Sequence, residues 1–356
     1  MTINTGGTRF GPRTGRSATD CCRPQIIVLT TSHGEKRCAN KMKTFSYFAA
    51  TVALTLAFPA QAQRAFDNNI LADTFGFDEN TEHVIPFDEL HQGCADRDCF
   101  NSIDSPNFVP AADADHVGDE DVVIAISWQG EFRAYPARIL DHHEIVNDTI
   151  AGTPIAITWC PLCGSAVGIH REFGGRVTEF GVSGLLYESN QVLYDRATES
   201  LWDQIGMTAI VGPMTGEKLR LVPVTMTRWS RWRKRHTETV VLSTDTGFEE
   251  DYSKDRYTSY RNSTRLMFPV SQEDERLHPK TVVYGFQLEA GTVAFSESLL
   301  IEQGTSRYQV LGDEFVVDYH DDGSVVLTEG NGDTHSPIRL FWFAWYTFYP
   351  ETKLVR

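Results

Sequence analysis

The sequence predicts an α+β protein, mainly β, made of two fused and diverged repeats with short helices. Three observations lead there. Short runs rich in Val, Ile and Phe alternate with polar residues and end at Gly turns, which is strand and hairpin patterning. The stretch from Val122 to Leu140 recurs from Val282 to Leu300, with Gly130, Ala134-Tyr135 and Ile139-Leu140 matched by Gly291, Ala294-Phe295 and Leu299-Leu300. A sharper match pairs Trp229-x-x-Trp232-x-x-x-His236-x-Glu238-Thr239 with Trp342-x-x-Trp345-x-x-x-Tyr349-x-Glu351-Thr352.

The front of the chain stands apart. Residues 1–41 are basic and polar with no apolar period. Met42-Lys43-Thr44, an apolar run from Phe45 to Phe58 and Ala60-Gln61-Ala62 then form the charged, apolar and cleavage regions of a secretory signal peptide. Met42 is therefore expected to be the true start, residues 1–41 a mis-called extension and 42–62 the signal peptide. The mature protein would be periplasmic or secreted, with no stable membrane insertion after cleavage. Without residues 1–62 the chain keeps 24 basic and 46 acidic residues, a net charge of −22 against −16 for the whole sequence. Such a surface repels nucleic acid and anionic membranes. Four cysteines stay, in two pairs. Cys94 and Cys99 flank a polar loop and are read as a local disulfide, as an oxidising compartment favours.

Residues 63–120 read as an irregular N-terminal arm. Strands are expected over Val122–Trp128, Glu131–Tyr135 and Pro154–Trp159, with a short helix from Pro136 to Val146. A hairpin follows, Ala166–Phe173 and Arg176–Val182, turning at Gly174-Gly175. The first repeat spans 121–245, a linker 246–280 and the second repeat 281–356. The two matched segments are offset differently, so the first repeat carries a long insertion, about 181–223. Elements found in both repeats read as scaffold, the Trp pairs among them. Elements found in the first alone are candidates for function: His142-His143-Glu144, Cys160, Cys163 and the insertion.

Chemistry centres on Trp159-Cys160-Pro161-Leu162-Cys163-Gly164. Cys160 and Cys163 offer two soft sulfur ligands, and His143 a nitrogen, a set suited to copper or zinc. A transition-metal site is the first reading. Met207, His170 and His236 are further ligands without a motif to support them. Thiol–disulfide exchange is an alternative, although the residues after Cys163 read as strand, so no helix N-terminus is available to activate a thiol. A structural Cys160–Cys163 disulfide in a non-catalytic ligand-binding module is another. Hydrolytic chemistry through Ser183, Asp195 and His143 has no triad spacing behind it. The partner is expected to be a small ligand or metal ion. Polar groups expected around a pocket are Glu144, Asn147, Ser183, Tyr187, Asn190, Tyr194, Asp195, Arg196, Trp202, Asp203 and Gln204, with Asp195-Arg196 as an ion pair or site.

These residues also carry a resemblance. Cys-Pro-Leu-Cys-Gly-Ser-Ala-Val from Cys160, Phe-Gly-Val-Ser-Gly-Leu-Leu-Tyr from Phe180, Tyr194-Asp195-Arg196, Thr-Glu-Ser-Leu-Trp from Thr198 and Gln204 resemble the domain of unknown function 3179 family. So do Ala134-Tyr135-Pro136, His143-Glu144-Ile145-Val146-Asn147-Asp148 and Phe341-Trp342-Phe343-Ala344-Trp345. The resemblance spans about Ser102 to Val355. It implies a bacterial or archaeal protein, often exported, and brings no activity with it. His142 departs from the pattern, standing where the family carries an aromatic, usually Trp. Any role carried over therefore attaches to His143 and not to His142.

Overall fold

The computed structural model describes residues 69–173 and 175–356. The expected leader lies outside the described residues. Among them, no helix is long and apolar enough to cross a membrane. The class is α+β and mainly β, with six sheets and six short α-helices among the described residues.

Two of the sheets share one plan. In the first, strands run in the order 225–228, 122–128, 131–136 and 240–242, with 108–110 added at the edge. In the second, the order is 338–341, 282–288, 291–296 and 353–355. In each, the first three strands are antiparallel and the fourth joins in parallel. Each core hairpin feeds a seven-residue helix, Ala137–His143 or Glu297–Gln303. The helices after the 225–228 and 338–341 strands, Trp229–Arg235 and Trp342–Phe348, also correspond. Their tryptophans are buried, Trp232 donating to Thr239 Oγ1 at 3.0 Å and Trp345 to Thr352 Oγ1 at 2.8 Å. A buried indole N–H must find an acceptor, and in both places it is the Thr seven residues on.

Two further sheets are four-stranded antiparallel meanders. One runs 145–150, 153–160, 165–170 and 221–222; the other 306–310, 313–319, 325–329 and 334–335. In the second meander the last two strands are joined by a short turn. In the first, residues 171–220 intervene and, joined by 90–92 at the edge, build a further sheet in the order 90–92, 180–187, 190–195, 201–203 and 208–211.

The sequence expectations differ from the structure at three places. The helix expected over Pro136–Val146 ends at His143, because Glu144 adopts the left-handed conformation (φ 58°, ψ −29°) and closes it with an N–H bond to Leu140 O. Ile145–Ile150 is then a strand, as β-branched residues favour. The hairpin read over 166–182 is interrupted: the first strand stops at His170, and a two-residue pair, Glu172–Phe173 with Arg176–Val177, comes before the next strand at Phe180. Residues 246–280 are not a bare spacer. Tyr252 and Tyr260 are buried and bond to His143 and Leu162 of the first half, and Lys280 is buried within the segment itself.

Candidate functional site

Cys160 ends its strand opposite Ser165, so both thiols sit in the turn between two buried strands. Both are free thiols, not the disulfide that one reading expected. Gly164 makes the turn at φ +59°, and a Cβ there would lie 2.9 Å from the Phe341 ring. The Phe341 N–H donates to Cys163 O at 2.8 Å. The start of the C-terminal helix thus covers the turn.

The insertion forms a second wall. Glu188 and Ser189, at φ 52° and 58°, make a tight hairpin turn. It brings Ser189 O within 3.3 Å of Cys163 Sγ. The segment 246–280 forms the third wall. Tyr260 donates to Leu162 O at 3.1 Å. Lys280 fixes this segment: its ammonium lies 3.4 Å from the centre of the Tyr260 ring and donates to the carbonyls of Tyr260, Ser263 and Arg265. Burial lowers the Lys280 pKa to about 8.

These walls enclose a cavity of about 220 Å³ lined by Cys160, Glu144, Tyr257, Phe268 and the Cys94 loop, with apolar side chains from the 180–187 strand. Cys163 is fully buried behind Cys160 and is not part of the lining. Met267 and Phe268 also line a larger open cleft of about 700 Å³, so they are the partition between the two.

The two thiols are electrostatically unequal. Burial pushes the Cys160 pKa up, but the polar surroundings of its sulfur, Cys163 first and then the backbone at Cys163, Gln191 and Leu162, outweigh it and hold it below the ordinary thiol value. These backbone groups replace the helix N-terminus that the sequence lacks. Burial and the neighbouring Cys160 raise Cys163 well above the ordinary value. Glu144 is raised well above the usual carboxylate range by burial, then by Cys160 and Asp141. Among the described residues its carboxyl has no hydrogen-bond partner. Tyr257 is raised by burial and by Glu144, Asp141 and Cys160. A thiolate-favouring sulfur and a neutral carboxylic acid therefore share one apolar cavity.

His143 is placed otherwise. Its Nδ1 faces Asn101 O at 2.7 Å and its Nε2 faces Tyr252 OH at 2.6 Å, so neither ring nitrogen is left for a third ligand. Burial lowers its pKa. His142 pairs through Nδ1 with Glu250 at 2.8 Å. Among the described residues, no group of three or more His, Cys, Asp or Glu is arranged to hold a metal ion.

The other expected residues divide between support and elsewhere. Gln204 accepts from Ser165 Oγ at 2.7 Å, contacts the Asn190 amide at 3.0 Å and donates to Thr158 Oγ1 at 2.8 Å, tying the insertion to the two strands that carry the thiols. Asn190 also reaches Cys163. Asn147 clamps Phe180 through its N–H and C=O, at 2.9 Å each. Ser183 donates to Val192 O at 2.6 Å, inside its own hairpin. Asp195 and Arg196 do not pair with one another. Asp195 caps the Ala197-Thr198 turn and accepts from Trp202 Nε1 at 3.0 Å, whereas Arg196 bridges Asp104 and Glu179. Tyr194 donates to Asp98 at 2.6 Å, and Tyr187 packs on Phe348. Asp203, raised by burial to about 6, is held by the Gly206 N–H, away from the thiols.

Tyr252, Tyr257, Tyr260, Phe268 and Lys280 were not expected at the site. Their signal in the sequence was an unusual density of Tyr in an otherwise polar stretch, Tyr252 to Tyr260.

Comparison with known proteins places the chain without supplying an activity. No curated protein matches it. No solved structure matches it. A family model described as protein of unknown function (DUF3179) matches residues 97–337, which contain Cys99, Cys160, Cys163, Glu144 and the whole insertion. That match covers more than half of the chain, and the chain belongs to this family.

Proposed function

We propose that the protein is a dithiol oxidoreductase acting on a small electrophile, a disulfide or a hydroperoxide, that enters the Cys160 cavity. The observation that carries the reading is the ordering of the pair: Cys160 lines the cavity and Cys163 is fully buried behind it. The Cys160 thiolate attacks the substrate's sulfur or terminal oxygen. The leaving thiolate or alkoxide takes its proton from the neutral Glu144 carboxyl. Cys163 then attacks the Cys160 sulfur, giving a Cys160–Cys163 disulfide and releasing the second thiol or water. The substrate is uncharged and largely apolar, since no cationic side chain lines the cavity. This chemistry belongs outside the cytoplasm, in keeping with the expected leader and the Cys94–Cys99 disulfide. We further read the two halves, with their shared strand orders, as diverged copies of one unit.

A copper or zinc ion held by the two sulfurs is the competing reading. One experiment separates the two. Protein purified from an exported expression is assayed for metal, then treated with one equivalent of diamide and mapped by mass spectrometry. A metal-free protein that closes a Cys160–Cys163 disulfide supports the proposal. About one copper or zinc per chain, with thiols that react only after chelation, overturns it.

Glu144 gives a second expected result. In the unfolded chain it ionises near 4.5, but in the fold its pKa is well above this. Between those two values the folded state keeps a proton that the unfolded state has released, so stability falls as pH rises. Glu144→Gln is expected to remove that slope and to raise stability at pH 8 by about 1–3 kcal/mol. Urea titrations at pH 5 and pH 8 read it. A wild type equally stable at both would show that Glu144 is ionised in the fold.

A further inference from the structure

The cavity has a second sulfur in its wall. Half-buried Cys94 lines it together with Cys160, while its disulfide partner Cys99 is exposed. The loop between them is seated tightly on the 180–187 strand. Gly93 N and Cys94 N both donate to Gly184 O, at 2.8 and 3.2 Å, and Asp98 N donates to Val182 O at 2.7 Å. The strand breaks register between Val182 and Leu186 to receive it. Two glycines allow this approach. A Cβ on Gly93 would meet Leu186 Cδ1 at 2.5 Å, and one on Gly184 would meet Asp96 O at 2.8 Å. A disulfide that merely staples a surface loop has no need of this seat, nor of one cysteine in a cavity wall and its partner exposed.

We infer that Cys94–Cys99 is a shuttle disulfide, which passes reducing equivalents between the protein surface and the buried Cys160–Cys163 pair. The inference rests on the dithiol reading above and extends it to the regeneration step. After one turnover the inner pair is a disulfide, shielded from any protein reductant. An external dithiol protein first reduces the outer disulfide by attack at the exposed Cys99. The freed Cys94 thiolate then attacks Cys160, forming a Cys94–Cys160 bond and releasing Cys163, which takes up a proton. Cys99 next attacks Cys94, closing the outer disulfide and releasing the Cys160 thiolate. One disulfide is broken and one formed in each exchange, and the two electrons come from the external dithiol.

Two measurements test it. In Cys99→Ser/Cys163→Ser, Cys94 and Cys160 are lone thiols, and oxidised glutathione is expected to drive a Cys94–Cys160 cross-link, read as a linked peptide under non-reducing conditions. Separate glutathione adducts without a link overturn the shuttle. In full-length protein with the inner pair pre-oxidised by diamide, reduced thioredoxin serves as a dithiol probe too large for the cavity. It is expected to regenerate the Cys160 and Cys163 thiols at least ~10-fold faster in wild type than in Cys94→Ser/Cys99→Ser. Equal rates overturn the shuttle, even where the inner pair oxidises as proposed. If diamide never closes the inner disulfide, the dithiol reading fails first, and the shuttle with it.

Discussion

Cys160→Ser is expected to abolish consumption of a small disulfide or hydroperoxide, by on the order of 10³-fold or more, because the attacking sulfur is gone. Cys163→Ser is expected to behave differently. The first attack survives, and one equivalent of a disulfide probe stays on Cys160 as a mixed disulfide, visible in the intact mass. The difference follows from placement, with Cys160 but not Cys163 in the cavity wall and Cys163 held at Ser189 O. The pH profile carries a second signature. The polar surroundings of Cys160 hold its pKa below the ordinary thiol value, so its alkylation by iodoacetamide should level off below about pH 8.5, where a free cysteine is still gaining thiolate. A variant pattern in which both serine substitutions are equally silent, or in which Cys163 carries the adduct, would assign the roles wrongly.

The largest effect on stability is expected at the paired tryptophans. Trp345→Ala removes a fully buried indole and its bond to Thr352, and is expected to cost about 3–5 kcal/mol in urea unfolding. Trp232→Ala, its counterpart against Thr239, is expected to cost a similar amount. The two differ in what they do to the thiols. Trp345 belongs to the helix Trp342–Phe348, whose N-cap Phe341 bonds to Cys163. Its truncation should therefore speed alkylation of the thiols in the folded protein, and that of Trp232 should not. Equal thiol protection in the two variants would show that the C-terminal helix plays no part in shielding the pair.

Much of the scaffold was legible because it is written in side-chain pattern. The Val122–Trp128 and Glu131–Pro136 hairpin alternates and turns at Gln129-Gly130, and the Trp-x-x-Trp-to-Thr spacing is a contact between residues seven apart. Where the helix stops was not legible. Ile145 and Val146 continue its apolar run, and only the left-handed Glu144 ends it.

The site was half legible. Cys160, Cys163, Glu144, Asn190 and Gln204 stood out by type and are gathered at the thiol turn. The activating backbone did not, because backbone groups carry no residue signature and any sequence has them. The same gap made redox chemistry look poorly supported when no helix followed Cys163. His143 stood out for the opposite reason. Its residue type suggests a ligand, but the Asn101 carbonyl and Tyr252 hydroxyl that occupy its nitrogens lie 42 and 109 residues away. The wall from 246–280 was missed because its tyrosines follow neither the helix nor the strand period.

The hydrogen bond from Phe341 to Cys163 joins positions 178 residues apart, and it sets an order of events during synthesis. The strands around Cys160 can pair as soon as they emerge. The turn that holds the thiols stays open until the final segment of the chain arrives, since that segment supplies its cover. Every newly made molecule therefore passes through an interval in which two unprotected sulfurs face its surroundings, and a nascent chain stalled short of Phe341 would remain there.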